Sequence, residues 1–261
     1  MSFEDEGFTG ESAASIREEQ LEKYGDLFAF AKACSKLAVD TTQLLPDTED
    51  RLELTSRLFF ARCTSHFQAA ICLAEGGMTI EAMVLCRSLI ETFFVLNALA
   101  QGVVTPAELV SHDGASRKSH ANALLNRKNT YPSVVPFEKI LNDFVADKAA
   151  SIEIKLFDFA RKGDALAAYD GLYRHLSHHA AHPSLSAVEA YLIESSDKGP
   201  HVQFRPILDH TPRAILSACI GILMCCFACD KLGARNPQTN STGARLWEEY
   251  VTLNDAYDLW G

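Results

Sequence analysis

A mainly α fold, a single-domain antiparallel helical bundle with one small β-hairpin near 187–206, follows from three observations. Apolar residues recur three or four apart along almost the whole chain, which is helical spacing. The pattern is broken at glycines and prolines, where helices stop. No interdomain linker and no internal repeat divides the 261 residues. A hydrophobic fraction of 48% is ample for one packed core, and a charged fraction of 22% is ordinary for a globular protein.

The elements follow in order. Residues 1–11 form an acidic leader, expected to be disordered, and residues 12–261 the bundle domain. A first long helix runs over about 12–44 and stops near Pro46. A second covers about 48–75 and ends at Gly76-Gly77, with the αL tolerance a C-cap needs. Thr79 is placed to N-cap a third helix, 80–101, with Glu81 in its first turn. Gly102 and Pro106 mark the next break, before a fourth helix at 106–128. A fifth spans roughly 137–162, interrupted near 149–151, and a sixth spans 164–182, ended by Pro183. Alternation then replaces helical period. Val188–Ile193 and His201–Arg205 flank a glycine-containing loop and predict the hairpin. An apolar helix at 212–232 follows, and a last helix covers 243–259.

The net charge of −10 argues against general, salt-dependent nucleic-acid binding, including general DNA binding. About half of that charge lies in the first twenty residues, where Glu4, Asp5, Glu6, Glu11, Glu18 and Glu19 face only Arg17. The acidic N-terminus lacks the apolar stretch of a signal peptide, and a cytoplasmic protein is expected. Most of the eight cysteines sit inside apolar helical runs and read as reduced core residues. Cys225 and Cys229 share a helix face, but no second Cys or His pair lies at zinc-like spacing beside them. The one membrane candidate, Ala214–Cys229, is 16 residues long, short of the roughly 20 that span a bilayer. No membrane partner is expected.

The chemistry gathers in two places. Four of nine histidines, His175, His178, His179 and His182, fall within eight residues. Imidazole titrates near neutrality and is the commonest metal ligand, so the segment is a candidate site. On a regular helix Arg174, His178 and His182 form one stripe, and His175, His179 and His182 a second. Tyr173 and Ser177 lie together on a third line. His175 falls partly, and His179 more fully, on the solvent side. His182 ends the helix, where the macrodipole favours a protonated ring.

The second constellation is on the helix at 80–101, apolar nearly all round and therefore buried. Arg87 and Glu91 interrupt it one turn apart. A buried charge costs several kcal/mol unless paired and hydrogen-bonded. Either the two form an internal pair that fixes packing, or they face a polar site completed by Tyr173, Ser177, His178 and His182. Arg62 and His66 lie one turn apart on the preceding helix, where a lone His is more often a boundary residue. Arg117-Lys118, Arg127-Lys128 and Arg161-Lys162 read as solvated faces.

These two segments carry a resemblance. Ala82…Leu85…Arg87-Ser-Leu-Ile-Glu91, followed by Tyr173-Arg-His-Leu-Ser177…His182-Pro-Ser184, resembles a family of helical bacterial proteins known only as a domain of unknown function. The similarity covers most of residues 50–230 and brings no activity with it. A wider resemblance is to HEPN-like helical bundles, many of which are dimeric, metal-independent ribonucleases of toxin or antiphage systems. It implies a motif arginine at Arg174. Its polar residue and catalytic histidine fall either on His178 and His182 or on His175 and His179. The first register leaves seven residues between Arg and His, and the second leaves four. Such chemistry needs an acid or base near neutrality and a cation for the phosphorane.

Three functions are therefore carried forward. The first is a HEPN-like ribonuclease working without metal or cofactor. Its site residues are His182, His178, Arg174, Arg87, Glu91, Tyr173 and Ser177, and its partners RNA and a second copy of the chain. The second is a non-catalytic module that binds a nucleotide or other small anionic ligand. The third is a metal-dependent hydrolase with His178, His182 and Glu91 as ligands.

Overall fold

The computed structural model of the chain describes residues 3–45, 47–181, 184–194, 199–234 and 236–257. It is a helical bundle with one two-stranded sheet. The stretch expected as one helix over 12–44 is two, α1 (Ala14–Lys23) and α2 (Gly25–Leu44). Tyr24 leaves helical geometry at φ −127° and ψ 31°, and its ring packs inside against Tyr257. Gln20 is fully buried in α1. Its amide donates to Ala74 O at 3.0 Å and its carbonyl accepts from Thr211 Oγ1 at 2.9 Å. A buried amide satisfied in this way fixes where α1 docks.

Helix α3 (Arg51–Glu75) is capped by Asp50, which accepts from the Leu52 and Glu53 amides. It turns through Gly76 and Gly77 into α4 (Thr79–Ala100). Gly77 has φ +78°, and a Cβ there would stand 2.7 Å from Ile16 Cγ2, so both backbone and packing require glycine. Met78, not Thr79, holds the N-cap position of α4. Thr79 instead donates its hydroxyl to Ile207 O at 2.8 Å, because the chain around Ile207 is close enough to accept it.

Helix α5 (Pro106–Asn126) opens with a full capping box between Thr105 and Glu108. The expected 137–162 helix is α6 (Glu138–Asp147) and α7 (Leu156–Lys162), separated by a turn and a stretch without regular structure. Residues 166–181 form α8, a helix of mixed pitch. Leu166–Ala168 and Arg174–Leu176 are α-helical, and Tyr169–Tyr173 and Ser177–Ala181 are π turns. His182 and Pro183 lie outside the described residues.

Ser184 accepts from the Ala187 amide and so caps α9 (Leu185–Val188). That cap explains why Val188–Tyr191 is helical where a strand was expected. Among the described residues only β1 (Leu192–Ile193) and β2 (His201–Val202) pair, antiparallel, with Leu192 opposite Val202 and Ile193 opposite His201. The loop residues 195–198 between them lie outside the described residues. The leader expected to be disordered over 1–11 has short helical turns in its described part, with Phe3 and Phe8 set against each other and against Phe204.

Helix α10 (Thr211–Cys229) is the centre of the bundle, packed against α2, α3, α4 and α11 (Pro237–Tyr257). Its approach to α4 is close: a Cβ on Gly221 would lie 2.8 Å from Leu89 Cδ2. Cys225 and Cys229 are buried in this core, and burial pushes the Cys86 and Cys226 thiols up to about 12. Among the described residues two helical stretches, Thr79–Ala100 and Leu208–Leu232, are long and apolar enough to cross a membrane by length and composition. The single short candidate expected from sequence is thus replaced by two, because the helical turns before Thr211 and after Cys229 extend it and α4 qualifies alone. Two-thirds of each apolar window, 67%, is buried inside the bundle.

Candidate functional site

Helices α4 and α8 meet, and the residues that join them are those the sequence singled out. The chain of contacts starts at Asn97, which donates to Gly163 O at 2.7 Å just before α8. Phe94 lies against the rings of Tyr169 and Tyr173. One and two turns further back, Glu91 and Arg87 pair at 3.0 Å. Arg87 Nη2 also donates to Tyr173 Oη at 3.4 Å, and its guanidinium sits 5.5 Å from the centre of that ring. Both charges are mostly withdrawn from solvent, at 25% and 33% exposure. The pair is thus internal, and Glu91 also borders a cleft. Glu91 and Tyr173 line a cleft of about 660 Å³ with Arg62, His112 and Lys155. Arg87 Nε is buried with no hydrogen-bond partner among the described residues.

The histidines occupy another side of α8. Tyr173 and His175 are two positions apart, and such residues do not share a helix face. The π turns then move every later side chain, because i→i+5 bonding takes more residues per turn than the α-helical 3.6. His175 and His179 stack with ring centres 4.4 Å apart, and His178 meets His179 edge-on at 4.8 Å. His178 Nε2 shares a 3.2 Å hydrogen bond with Ser186 Oγ. Ser184 donates to His178 O at 2.8 Å and also caps α9, so the Ser of the His-x-Ser motif joins the end of α8 to the next helix.

The start of α10 completes this face. Burial lowers the pKa of His175 to about 4, helped by His179, Arg213 and His178. Burial also lowers His179, with His178 and Arg213 adding and Glu189 opposing. His210 is lowered by burial and by Arg213, against the pull of Asp209. His175, His178, His179, His210 and Arg213 thus form one electrostatic cluster, with Glu189 and Asp209 as its carboxylates. At neutral pH its buried imidazoles are uncharged and Arg213 is its fixed cation.

The expected site residues therefore divide. Arg87, Glu91 and Tyr173 come together. His178 lies in the histidine cluster with His175 and His179, and these two are half-buried, where a regular helical phase had set them toward solvent. Arg174 is exposed and paired with Asp170 at 3.0 Å, its guanidinium over Tyr169. Ser177 is buried at 7% exposure, with no partner for its hydroxyl among the described residues. His182 lies outside the described residues. His66 packs against Arg62 and the Ser88 backbone, and burial followed by Arg62 lowers its pKa. Among the described residues no group of three or more His, Cys, Asp or Glu is placed to hold a metal ion.

Sequence reasoning missed His210, Arg213, His112 and Lys155. Arg213 carried a usable signal: like Arg87, it is a lone charge at the edge of an otherwise apolar helix. His112 and Lys155 carried none, since a polar helix and a connecting loop hide them.

No curated protein and no solved structure matches the chain. The model of one family does match, over residues 54–200. That span runs from α3 past β1 and contains the Arg87–Glu91 pair, Tyr173 and the α8 histidines; His210 and Arg213 lie beyond it. The match covers more than half of the sequence, and it agrees with the resemblance read from the two motifs: the chain belongs to DUF5677, a family of unknown function.

Proposed function

We propose that the protein binds a phosphate-bearing ligand, a nucleotide or RNA, on the histidine face formed by α8 and the start of α10. The observation that carries this reading is the gathering of His175, His179 and His210 around Arg213, with His178 against His179. A guanidinium and imidazole N–H groups are suited to phosphate oxygens. The N-terminal turn of α10, where Arg213 sits, adds the positive end of a helix dipole. Imidazoles held neutral by burial and by Arg213 regain protons when a phosphate arrives, so binding takes up protons and tightens as pH falls from 7 toward 5. Calorimetry with AMP and a short oligoribonucleotide, in buffers of different ionisation enthalpy, measures that uptake. Arg213→Ala and His179→Ala are expected to weaken binding by about tenfold or more. Binding unaffected by either change, or unaccompanied by proton uptake, rejects the reading.

A second reading, a HEPN-like ribonuclease that needs no metal, is favoured by the stacked His175 and His179 and by the four-residue spacing from Arg174 to His179. In that chemistry a neutral imidazole accepts the 2′-hydroxyl proton as the oxygen attacks phosphorus. A protonated one donates to the departing 5′-oxygen, and a guanidinium stabilises the phosphorane. RNA cleavage by EDTA-treated protein, lost in His179→Ala, is the expected result. An intact substrate after incubation with the wild-type chain leaves the binding reading alone.

A further inference from the structure

We infer that the cleft between α3, α4, α7 and the chain before it is a second site, built for a small organic acid with an apolar body and a carboxylate head. Its volume of about 660 Å³ lies within the range of small-molecule pockets. Five separate parts of the chain line it: α3, α4, α5 through His112, residues 153–159, and α8 through Tyr173. The floor is apolar, made by Phe59, Val95, Leu156 and Phe159. The rim and one end carry hydrogen-bond donors.

The donors can be assigned one by one. The Ile154 amide donates to His112 Nδ1 at 3.1 Å, so a neutral His112 carries its proton on Nε2 and can only donate there. Tyr173 Oη accepts from Arg87, which leaves its own hydroxyl proton to give. Arg62 and Lys155 line the same cleft with only N–H groups. Two carboxylates line the cleft as well: Glu91, already engaged by Arg87, and Glu153, exposed at the rim. The planar guanidinium of Arg62 matches a carboxylate with two parallel hydrogen bonds. Arg62, Lys155, His112 and Tyr173 outnumber the carboxylates Glu91 and Glu153, the first of which Arg87 already neutralises, and above an apolar floor they favour a ligand that brings acceptors and a negative charge on an apolar frame.

This site is independent of the phosphate reading, since Tyr173 and His175 project to different sides of α8. The probes are benzoate, 3-phenylpropionate and 4-phenylbutyrate, each set against its neutral amide, with the full-length chain observed by NMR. The acids are expected to bind and perturb Tyr173 and His112 resonances, and the amides to bind at least about tenfold more weakly. Arg62→Ala removes an exposed side chain and leaves the core intact, and Tyr173→Phe keeps the ring. Both are expected to weaken acid binding by about tenfold, while His179→Ala leaves it unchanged. Failure of all three acids to bind overturns the inference. So do equal binding of acids and amides, insensitivity to both cleft variants, or loss of binding in His179→Ala.

Discussion

Helix α4 and helix α8 touch along most of their lengths, yet they obey different rules. In α4 a regular pitch puts Arg87 and Glu91 on one face, and they form the i,i+4 ion pair that their spacing requires. In α8 two π turns interrupt the pitch, yet His175 and His179, neighbours on one of the stripes drawn for a regular helix, still lie ring against ring. His175, expected partly toward solvent, and His179, expected more fully so, are both half-buried, with ring centres 4.4 Å apart. The difference teaches where chemistry can be assembled. Regular α4 supplies a fixed wall, and irregular α8 presents an aromatic side to that wall and a histidine side elsewhere. Single-turn π insertions often mark functional sites for this reason, because they re-aim side chains without breaking the helix.

Phe94 is the residue on which the two regions depend most, since it is fully buried on α4 and lies against both Tyr169 and Tyr173 of α8. Phe94→Ala is expected to cost about 3–5 kcal/mol and to lower Tm by roughly 10 °C. If α8 were docked by its polar contacts, the loss would be small and thermal denaturation would show it.

The next test separates pairing from burial. Arg87→Ala leaves Glu91 largely buried and unpaired, at an expected cost of about 1–2 kcal/mol. Arg87→Met with Glu91→Gln keeps the volume without the charges and is expected to recover about half of that. A double-mutant cycle with no coupling between positions 87 and 91 would show that the pair only packs.

Acid separates the two sides of α8. His175 has a folded pKa of about 4, below the ordinary value of about 6.5. As pH falls below 6.5 the unfolded chain takes the proton first, so stability drops between pH 6.5 and 4 and levels off below. Discounted for partial solvent screening, His175 contributes on the order of 1–2 kcal/mol to that drop. His179 and His210 act in the same direction. Urea denaturation across this range is expected to give a flatter profile for His175→Gln, and phosphate is expected to restore stability at pH 5. An unchanged slope in the variant would show that His175 is open to solvent.

The contrast also explains how much could be read from sequence. Helix positions, the α4 ion pair and its contact with Tyr173 were legible, because apolar period and i,i+4 spacing report a regular helix directly. The breaks at Tyr24 and 148–155 were less so, since each depends on what the side chains meet in the fold: Tyr24 turns onto Tyr257, and the segment before α7 gives its Ile154 amide to His112. The facing of the histidines was not legible, because no residue of Tyr169–Tyr173 or Ser177–Ala181 announces a π turn. Arg213 and His210 reach the cluster only through tertiary packing, some thirty residues along the chain.

Arg174 carries the smallest expected effect on stability and distinguishes the two functional readings. Its pair with Asp170 is exposed on both sides, at 65% and 62%. Such pairs are worth about 0.5 kcal/mol or less, so Arg174→Ala should leave Tm within about 2 °C of the parent. If Arg213 is the cation that holds phosphate, AMP binding in Arg174→Ala stays within about twofold of the wild type. If Arg174 stabilises a phosphorane, RNA cleavage falls by about a hundredfold at unchanged stability. The two cations lie on different turns and different helices, so comparing Arg174→Ala with Arg213→Ala in both assays decides which face of α8 meets the phosphate.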